Sequence, residues 1–242
     1  MKKLLRTCFL CLVAASLCAQ EISEKEIIDR ARSTVGSEAA LDGLVTLELI
    51  GSLEPADTNI PSATILIVAR KPLSQRLEIK VDDIVETTIL DCKRGCIIRS
   101  NLNAGASQMR DLVGTELERV SYSTRQFFNY FRPDFKNGET VRLLGSETYR
   151  GVRCYKLQYE YPGGFKTVRY FSLADDTLVS TVSENGVESV GVGSQVVGGI
   201  KFPTKIEHYE GDRKLHTIVI HELKVNQPLT AGIFEIPERD TQ

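Results

Sequence analysis

The amino-acid sequence predicts a mainly β protein of the α+β class, with one large, strongly curved antiparallel sheet and helices covering its concave face. Three observations carry this. Apolar and polar residues alternate with a period of two through most of the 242 residues, the mark of strands with one buried face. The runs are separated by Gly, Asn, Asp and Pro pairs of the kind that close hairpins, not by helical crossovers. Helical spacing breaks the pattern only twice. About a dozen strands in meander order make a sheet long enough that it must curl.

The first residues form their own unit. MKKLLRTCFLCLVAASLCA carries Lys2, Lys3 and Arg6, an apolar run from Cys8 to Leu17, and small residues before Gln20. That is the charged, apolar and cleavage region of a secretory signal peptide. The run is about half the ~20 residues a membrane-spanning helix needs. Residues 1–19 are expected to be removed after Ala19, with Cys18 as an alternative cleavage point. Leu17 is too large for the position before a lipidated Cys18. Residues 20–242 are then expected to be one exported, soluble domain, not membrane-spanning. Losing Lys2, Lys3 and Arg6 takes the formal net charge from −2 to −5. Such a chain has no electrostatic case for nucleic acid.

Along the mature chain, Ile22 to Val35 reads as a helix. Ser23 and Glu26 have capping-box spacing, Ile27, Ile28, Ala31 and Val35 share a face, and Gly36 stops it. A turn through Glu38–Leu41 leads into strands. LVTLELIGSL, SATILIVAR, SQRLEIKVD, IVETTILD and CIIRS alternate in turn. Ala106 to Phe131 reads as helical, since Met109, Leu112, Val113, Leu117 and Val120 have helical spacing. A break near Ser121–Thr124 precedes a shorter helix bearing Phe127, Phe128, Tyr130 and Phe131, and Pro133 ends it. Strands resume with TVRLLGSE, VRCYKLQYEY, KTVRYFSL, TLVSTVSE, ESVGVGSQV, IKFPTKIEHY and RKLHTIVIHELKV. Pro162-Gly163-Gly164, Asn185-Gly186 and Gly211-Asp212 are the turn signals between them.

Chemistry-bearing residues are few. A two-residue Gly211-Asp212 turn sets His216 opposite Glu207 and points His208 and His216 to opposite faces, so His208, His216 and His221 are not expected to share a metal. Cys92, Cys96 and Cys154 are too few for a disulfide scaffold. A three-residue loop, Lys93-Arg94-Gly95, would set Cys92 opposite Cys96 at about 5.5 Å between α-carbons, a distance a bridge tolerates. Three reduced cysteines, or a Cys96–Cys154 bridge, are the alternatives. GVGSQVVGG lacks dinucleotide-binding spacing, and nucleophile-elbow and HExxH motifs are missing. No enzyme activity and no cofactor are expected. A curved sheet capped by helices can enclose a cavity. Its lining is expected from the more apolar parity of each strand: Leu47, Leu49, Ile65, Ile67, Leu77, Ile79, Tyr155, Leu157 and Tyr159. Phe127, Phe128 and Phe131 would close its mouth. A filled core of the same residues is the alternative.

The order of motifs resembles the LolA/LolB-like periplasmic lipoprotein-carrier superfamily. IPSATILIVARKPLSQRLEIKV, with Arg70, Lys71-Pro72 and Arg76, is similar to its strand, Arg-Pro, basic residue, strand stretch. LDCKRGCIIRS is similar to its FDG-turn-GW hairpin, with Cys92 where glycine is usual and Cys96 where tryptophan is usual. GSETYRGVRCYKLQYEY, YFSLADDTLV and GGIKFPTKIEHY follow its C-terminal half, and Asn226, Pro228, Leu229, Phe234 and Pro237 match its ending. The resemblance implies an unclosed half-barrel with helices in its mouth. It also implies a periplasmic carrier of lipid or lipoprotein acyl chains that serves outer-membrane lipoprotein sorting. Inner- or outer-membrane lipoprotein-transfer proteins are the implied partners. A periplasmic lipid-sensing regulator that binds a membrane-protein partner is the alternative.

Overall fold

A computed structural model describes residues 22–238. The expected signal segment, 1–19, lies outside them. Helix α1 (Glu24–Val35) starts where the capping spacing predicts: the Glu26 amide donates to Ser23 Oγ at 3.2 Å. Ile27, Ile28 and Ala31 are buried on its inner face. The short helix α2 (Glu38–Asp42) follows.

Five strands come next as successive hairpins: β1 (Thr46–Pro55), β2 (Ala63–Arg70), β3 (Ser74–Val81), β4 (Ile84–Asp91) and β5 (Arg94–Asn101), then β6 (Ala106–Asp111). Helix α3 (Gly114–Asn129) and a 3-10 turn at Phe135–Asn137 lead to a second series. It comprises β7 (Thr140–Tyr149), β8 (Val152–Glu160), β9 (Lys166–Ser172), β10 (Leu178–Ser183), β11 (Val187–Val192), a small hairpin of β12 (Gln195–Val197) and β13 (Ile200–Phe202), then β14 (Lys205–Glu210) and β15 (Arg213–Val225).

All but β12 and β13 join one sheet of thirteen strands, ordered β6-β5-β4-β3-β2-β1-β15-β14-β11-β10-β9-β8-β7. Every pairing is antiparallel. β1 and β15 pair in the middle and join the two meanders. The edges, β6 and β7, do not pair with each other, so the sheet is an unclosed half-barrel. The chain between those edges is α3, which therefore passes from one rim to the other. At the β7 rim the Leu143 amide donates to Glu24 Oε1 at 3.0 Å. That bond caps an edge amide and holds the Glu24 carboxyl below its usual range. Asn226 closes the other end of the chain. Its Oδ1 accepts from the amides of Val45 at 2.7 Å and Thr46 at 3.2 Å, and its Nδ2 donates to the Gly43 carbonyl at 3.0 Å.

Three expectations are corrected. Residues 106–111 form an edge strand on β5, not the start of a helix, and α3 runs unbroken through 121–124. The edge strand is solvated on both faces, so it carries no alternation to read. Secondly, ESVGVGSQV and IKFPTKIEHY are each two strands, interrupted at Gly193-Ser194 and Pro203-Thr204. Thirdly, the expected Cys92–Cys96 bridge is not formed; Cys92, Cys96 and Cys154 are free. Asp91 pairs with Arg94, so the turn holds only Cys92 and Lys93, with Cys92 at φ 55, and Cys96 falls opposite Ile89. Gly95 is not part of the loop but pairs with Leu90. It lies in the strand, where a Cβ would come within 2.9 Å of the Ile89 carbonyl oxygen.

Candidate functional site

Strand register arranges the concave face in cross-strand rows, because residues directly opposite each other project to the same side. One row runs Leu223, Leu49, Ile67, Leu77. The next runs Ile220, Gly51, Ile65, Ile79. A third, in the other half, runs Leu143, Leu157, Arg169, Thr181, Ser189, His208, His216. The apolar parity read from the sequence thus falls on one face. The face is not one uniform surface, however; it changes from apolar to polar along its length.

Six of the nine expected lining residues divide between two packed groups. Leu47 and Leu49 are buried with Leu41, Leu44, Phe128, Ile200, Leu223 and Val225, with Ile67 and Phe127 against them. Leu157 and Tyr159 are buried with Ile27, Ile28, Ala31 and Phe171, with Tyr155 and Phe131 against them. Ile65 is buried, and Leu77 and Ile79 are half-buried on the same rows. The expected lid residues sit at the end of α3 and reach both groups: Phe127 and Phe128 touch the first, and Phe131 meets Phe171 edge-on at 5.2 Å in the second. These side chains fill the concave face by packing on it. Two open pockets, of about 640 and 400 Å³, lie elsewhere, among the Asp91–Arg94 turn and the C-terminal segment Gln227–Glu238.

α3 is lightly held. Of its 16 residues only Thr124 and Phe128 are buried, and Val113 at its start supplies no side-chain cap. It ends on Tyr130 and Phe131 at φ 42 and 73, a left-handed conformation that costs non-glycine residues energy. A buried arginine helps to secure that end. Arg32 of α1 is 1% exposed, and its Nη1 donates to the carbonyls of Asn129 at 2.8 Å and Tyr130 at 2.9 Å. Its Nε and Nη2 donate to Glu38 at 2.9 and 2.7 Å, and this guanidinium holds the Glu38 carboxyl below its usual range. A cation on the last carbonyls of a helix also suits the helix dipole.

Beneath α3 the second group becomes polar. Arg169 of β9 is 6% exposed. Its Nη2 donates to Gln126 Oε1 of α3 at 2.5 Å, and its guanidinium lies 4.3 Å from the Tyr159 ring centre and 5.6 Å from that of Phe131. Tyr159 donates through its hydroxyl to the Phe131 carbonyl at 2.9 Å, and Tyr161 pairs with Thr167 at 3.1 Å. Burial raises the pKa of both phenols. Glu139, fully buried, accepts from the Asp134 amide at 2.8 Å and lies 3.6 Å from Arg125 Nε. Burial pushes its carboxyl upward.

Sequence reasoning missed Arg32, Arg125, Glu139 and Arg169. For Arg32 a signal existed: it falls four residues after Ile28 and three before Val35, on the inner face of an amphipathic helix. For Arg169 the parity of KTVRYFS misleads, because Val168 and Tyr170 face outward while Thr167, Arg169 and Phe171 face inward. His208 and His216 are also corrected. They are direct partners, with ring centres 4.4 Å apart, because a bulge between His208 and Tyr209 shifts the register of the simple hairpin. Among the described residues no group of three or more His, Cys, Asp or Glu is placed to hold a metal.

No family model matches the chain, and no curated protein matches it. Solved structures do. A DUF1329 family protein from Desulfovibrio piger superposes with a TM-score of 0.57 at 12% identity, covering 87% of this chain and 96% of that one. A LolA superfamily protein from Nitrosomonas europaea superposes with a TM-score of 0.55 at 12% identity, covering 88% and 97%. The fold is therefore LolA/LolB-like, as the motif order implied.

Proposed function

We propose, from a LolA/LolB-like half-barrel as premise, that this protein is a soluble periplasmic carrier. It would shield acyl chains of lipids or lipoproteins between the sheet and α3 and serve outer-membrane lipoprotein sorting. The observation that carries the reading is the pair of apolar rows on an unclosed sheet, covered by a helix that buries only two of its own residues. A permanent core element would be bound more deeply. Here a modest displacement of α3 and its aromatic end would expose Leu49, Ile67, Leu157 and Tyr159 to an incoming chain. Each methylene then buried adds about 0.8 kcal/mol, less the cost of ordering the chain and moving the helix. Among the described residues no helix is long and apolar enough to cross a membrane. The LolA superfamily likeness and the charged-apolar N-terminus support export to the periplasm and hand-over to membrane lipoprotein-transfer proteins.

Titration with a fluorescent fatty-acyl probe tests the reading. Saturable binding with a blue-shifted emission is expected, together with weaker uptake by Leu157→Trp, which fills the space beside Tyr155 and Tyr159. A wild-type protein that binds no acyl probe refutes the carrier. If it instead pulls down an envelope membrane protein, the regulator reading takes its place.

A further inference from the structure

The polar region beneath α3 is out of balance. Among the described residues, three buried side-chain polar atoms of this region lack a hydrogen-bond partner: Arg125 Nε and Glu139 Oε1, which face each other at 3.6 Å, and Arg169 Nη1. Two of the three are guanidinium nitrogens that can only donate. Native proteins rarely leave buried donors unpaired, and such groups call for a water, an ion or a ligand to complete them. Charge points the same way. Arg169 makes no ion pair within 4.0 Å among the described residues; its partners are an amide oxygen, the Tyr159 side chain and two aromatic faces, all formally uncharged. Arg125 and Arg169 share the single carboxyl of Glu139, which lies 3.6 Å from Arg125 Nε, so two guanidinium groups face one carboxyl. A buried guanidinium without a counter-charge is costly, and an anion repays that cost.

We infer that the packed interface between the C-terminal half of α3 and β9 becomes an oxyanion subsite when α3 moves aside, in which Arg169 Nη1 and Arg125 Nε donate to the carboxylate or phosphate of an anionic amphiphile. The row geometry fits such a molecule. Arg169 sits directly opposite Leu157 and two strands from Leu143, so a head group on Arg169 leaves its chain lying against Leu157, Tyr159 and Phe131. The placement of the chain rests on the acyl-carrier reading; the oxyanion subsite stands on Arg169 and Arg125.

Calorimetric titration of the mature protein with laurate, dodecyl phosphate and dodecanol, each below its micelle concentration, separates head from tail. Charged hydrogen bonds of this kind predict that one or both anions bind about tenfold to a hundredfold tighter than dodecanol. The tighter of the two identifies the head group. In Arg169→Met, and independently in Arg125→Gln, the anions should fall to the affinity of dodecanol, which itself should not change. Equal binding of all three by the wild type overturns the subsite and leaves the carrier intact; so does a preference that survives in both variants. If no twelve-carbon ligand binds, the melting temperature with acetate or phosphate against chloride at equal ionic strength decides. A rise in the wild type that is lost in Arg169→Met supports the subsite and refutes the carrier, and no rise overturns both.

Discussion

Replacing Arg32 by methionine is expected to free α3 from the sheet while leaving the sheet folded. Arg32 Nη1 makes two charge-assisted bonds to the carbonyls of Asn129 and Tyr130. Bonds to charged groups contribute ~1.5 kcal/mol each at the low end, so the pair contributes about 3 kcal/mol. The ion pair with Glu38 adds less than about 1 kcal/mol, because Glu38 is 48% exposed and solvent screens it. Methionine keeps the length of the side chain and has no charge to desolvate, which returns part of the loss. The net is about 2 kcal/mol, a roughly thirtyfold rise in the population with α3 undocked. Hydrogen exchange read by mass spectrometry measures it. Amides of residues 114–131 should exchange about thirtyfold faster in the variant, while those of β2 change by no more than a few fold. Unchanged exchange in α3 would show that Arg32 does not secure it. Equal acceleration throughout would show that Arg32 stabilises the whole fold and that α3 does not move as a separate unit.

Three further outcomes are expected. Leu157→Trp should keep the circular dichroism of the wild type, lose about 1–3 kcal/mol to overpacking and take up less acyl probe; undiminished uptake would place the chain elsewhere. Burial lowers His208 to about 4, with the charge of its neighbour His216 adding to the effect, and burial lowers His216 too. His208 stays neutral in the folded protein above about pH 4, and His216 takes up its proton less readily than in the unfolded chain, which protonates near pH 6.5, so stability should be level above that pH and fall as pH drops from 6.5 toward 4. After allowing for partial exposure the loss assigned to His208 is on the order of 1 kcal/mol; urea unfolding at pH 7 and pH 4.5 should show a smaller difference in His208→Asn, and an equal difference would refute the assignment. Cys92 should react with a thiol reagent in the native state and Cys96 and Cys154 only after unfolding, since burial raises both buried thiols; a bridged pair in non-reducing peptide mapping would contradict this.

Much of the half-barrel was legible because its strands follow one another as hairpins. Where a strand has one wet face and one dry face, as in SQRLEIKV, two-residue periodicity names both the strand and its inward side. The signal fails where that condition fails. β6 is solvated on both faces, so ASQMRD carries no parity, and its apolar neighbours mimic a helix. α3 starts without a capping side chain at Val113 and ends on left-handed Tyr130, so neither boundary is written in the residues that usually mark it. The same holds at the site. Leu49, Ile67 and Leu157 could be placed by parity alone, but Arg169 could not, because an inward-facing arginine is stabilised by α3 and the tyrosines around it, contacts distant in sequence. A single bulge beside His208 was enough to bring together two rings that a regular hairpin would have set apart.

Native mass spectrometry of the mature protein, purified without detergent from the envelope of its own cell, tests the carrier most directly. The account predicts a species heavier than the polypeptide by the mass of one acyl-chain lipid or by one lipoprotein acyl group. It also predicts that this mass is lost on gentle activation and is depleted in Leu157→Trp. Bare polypeptide alone, from protein that also fails to take up an acyl probe, would contradict it.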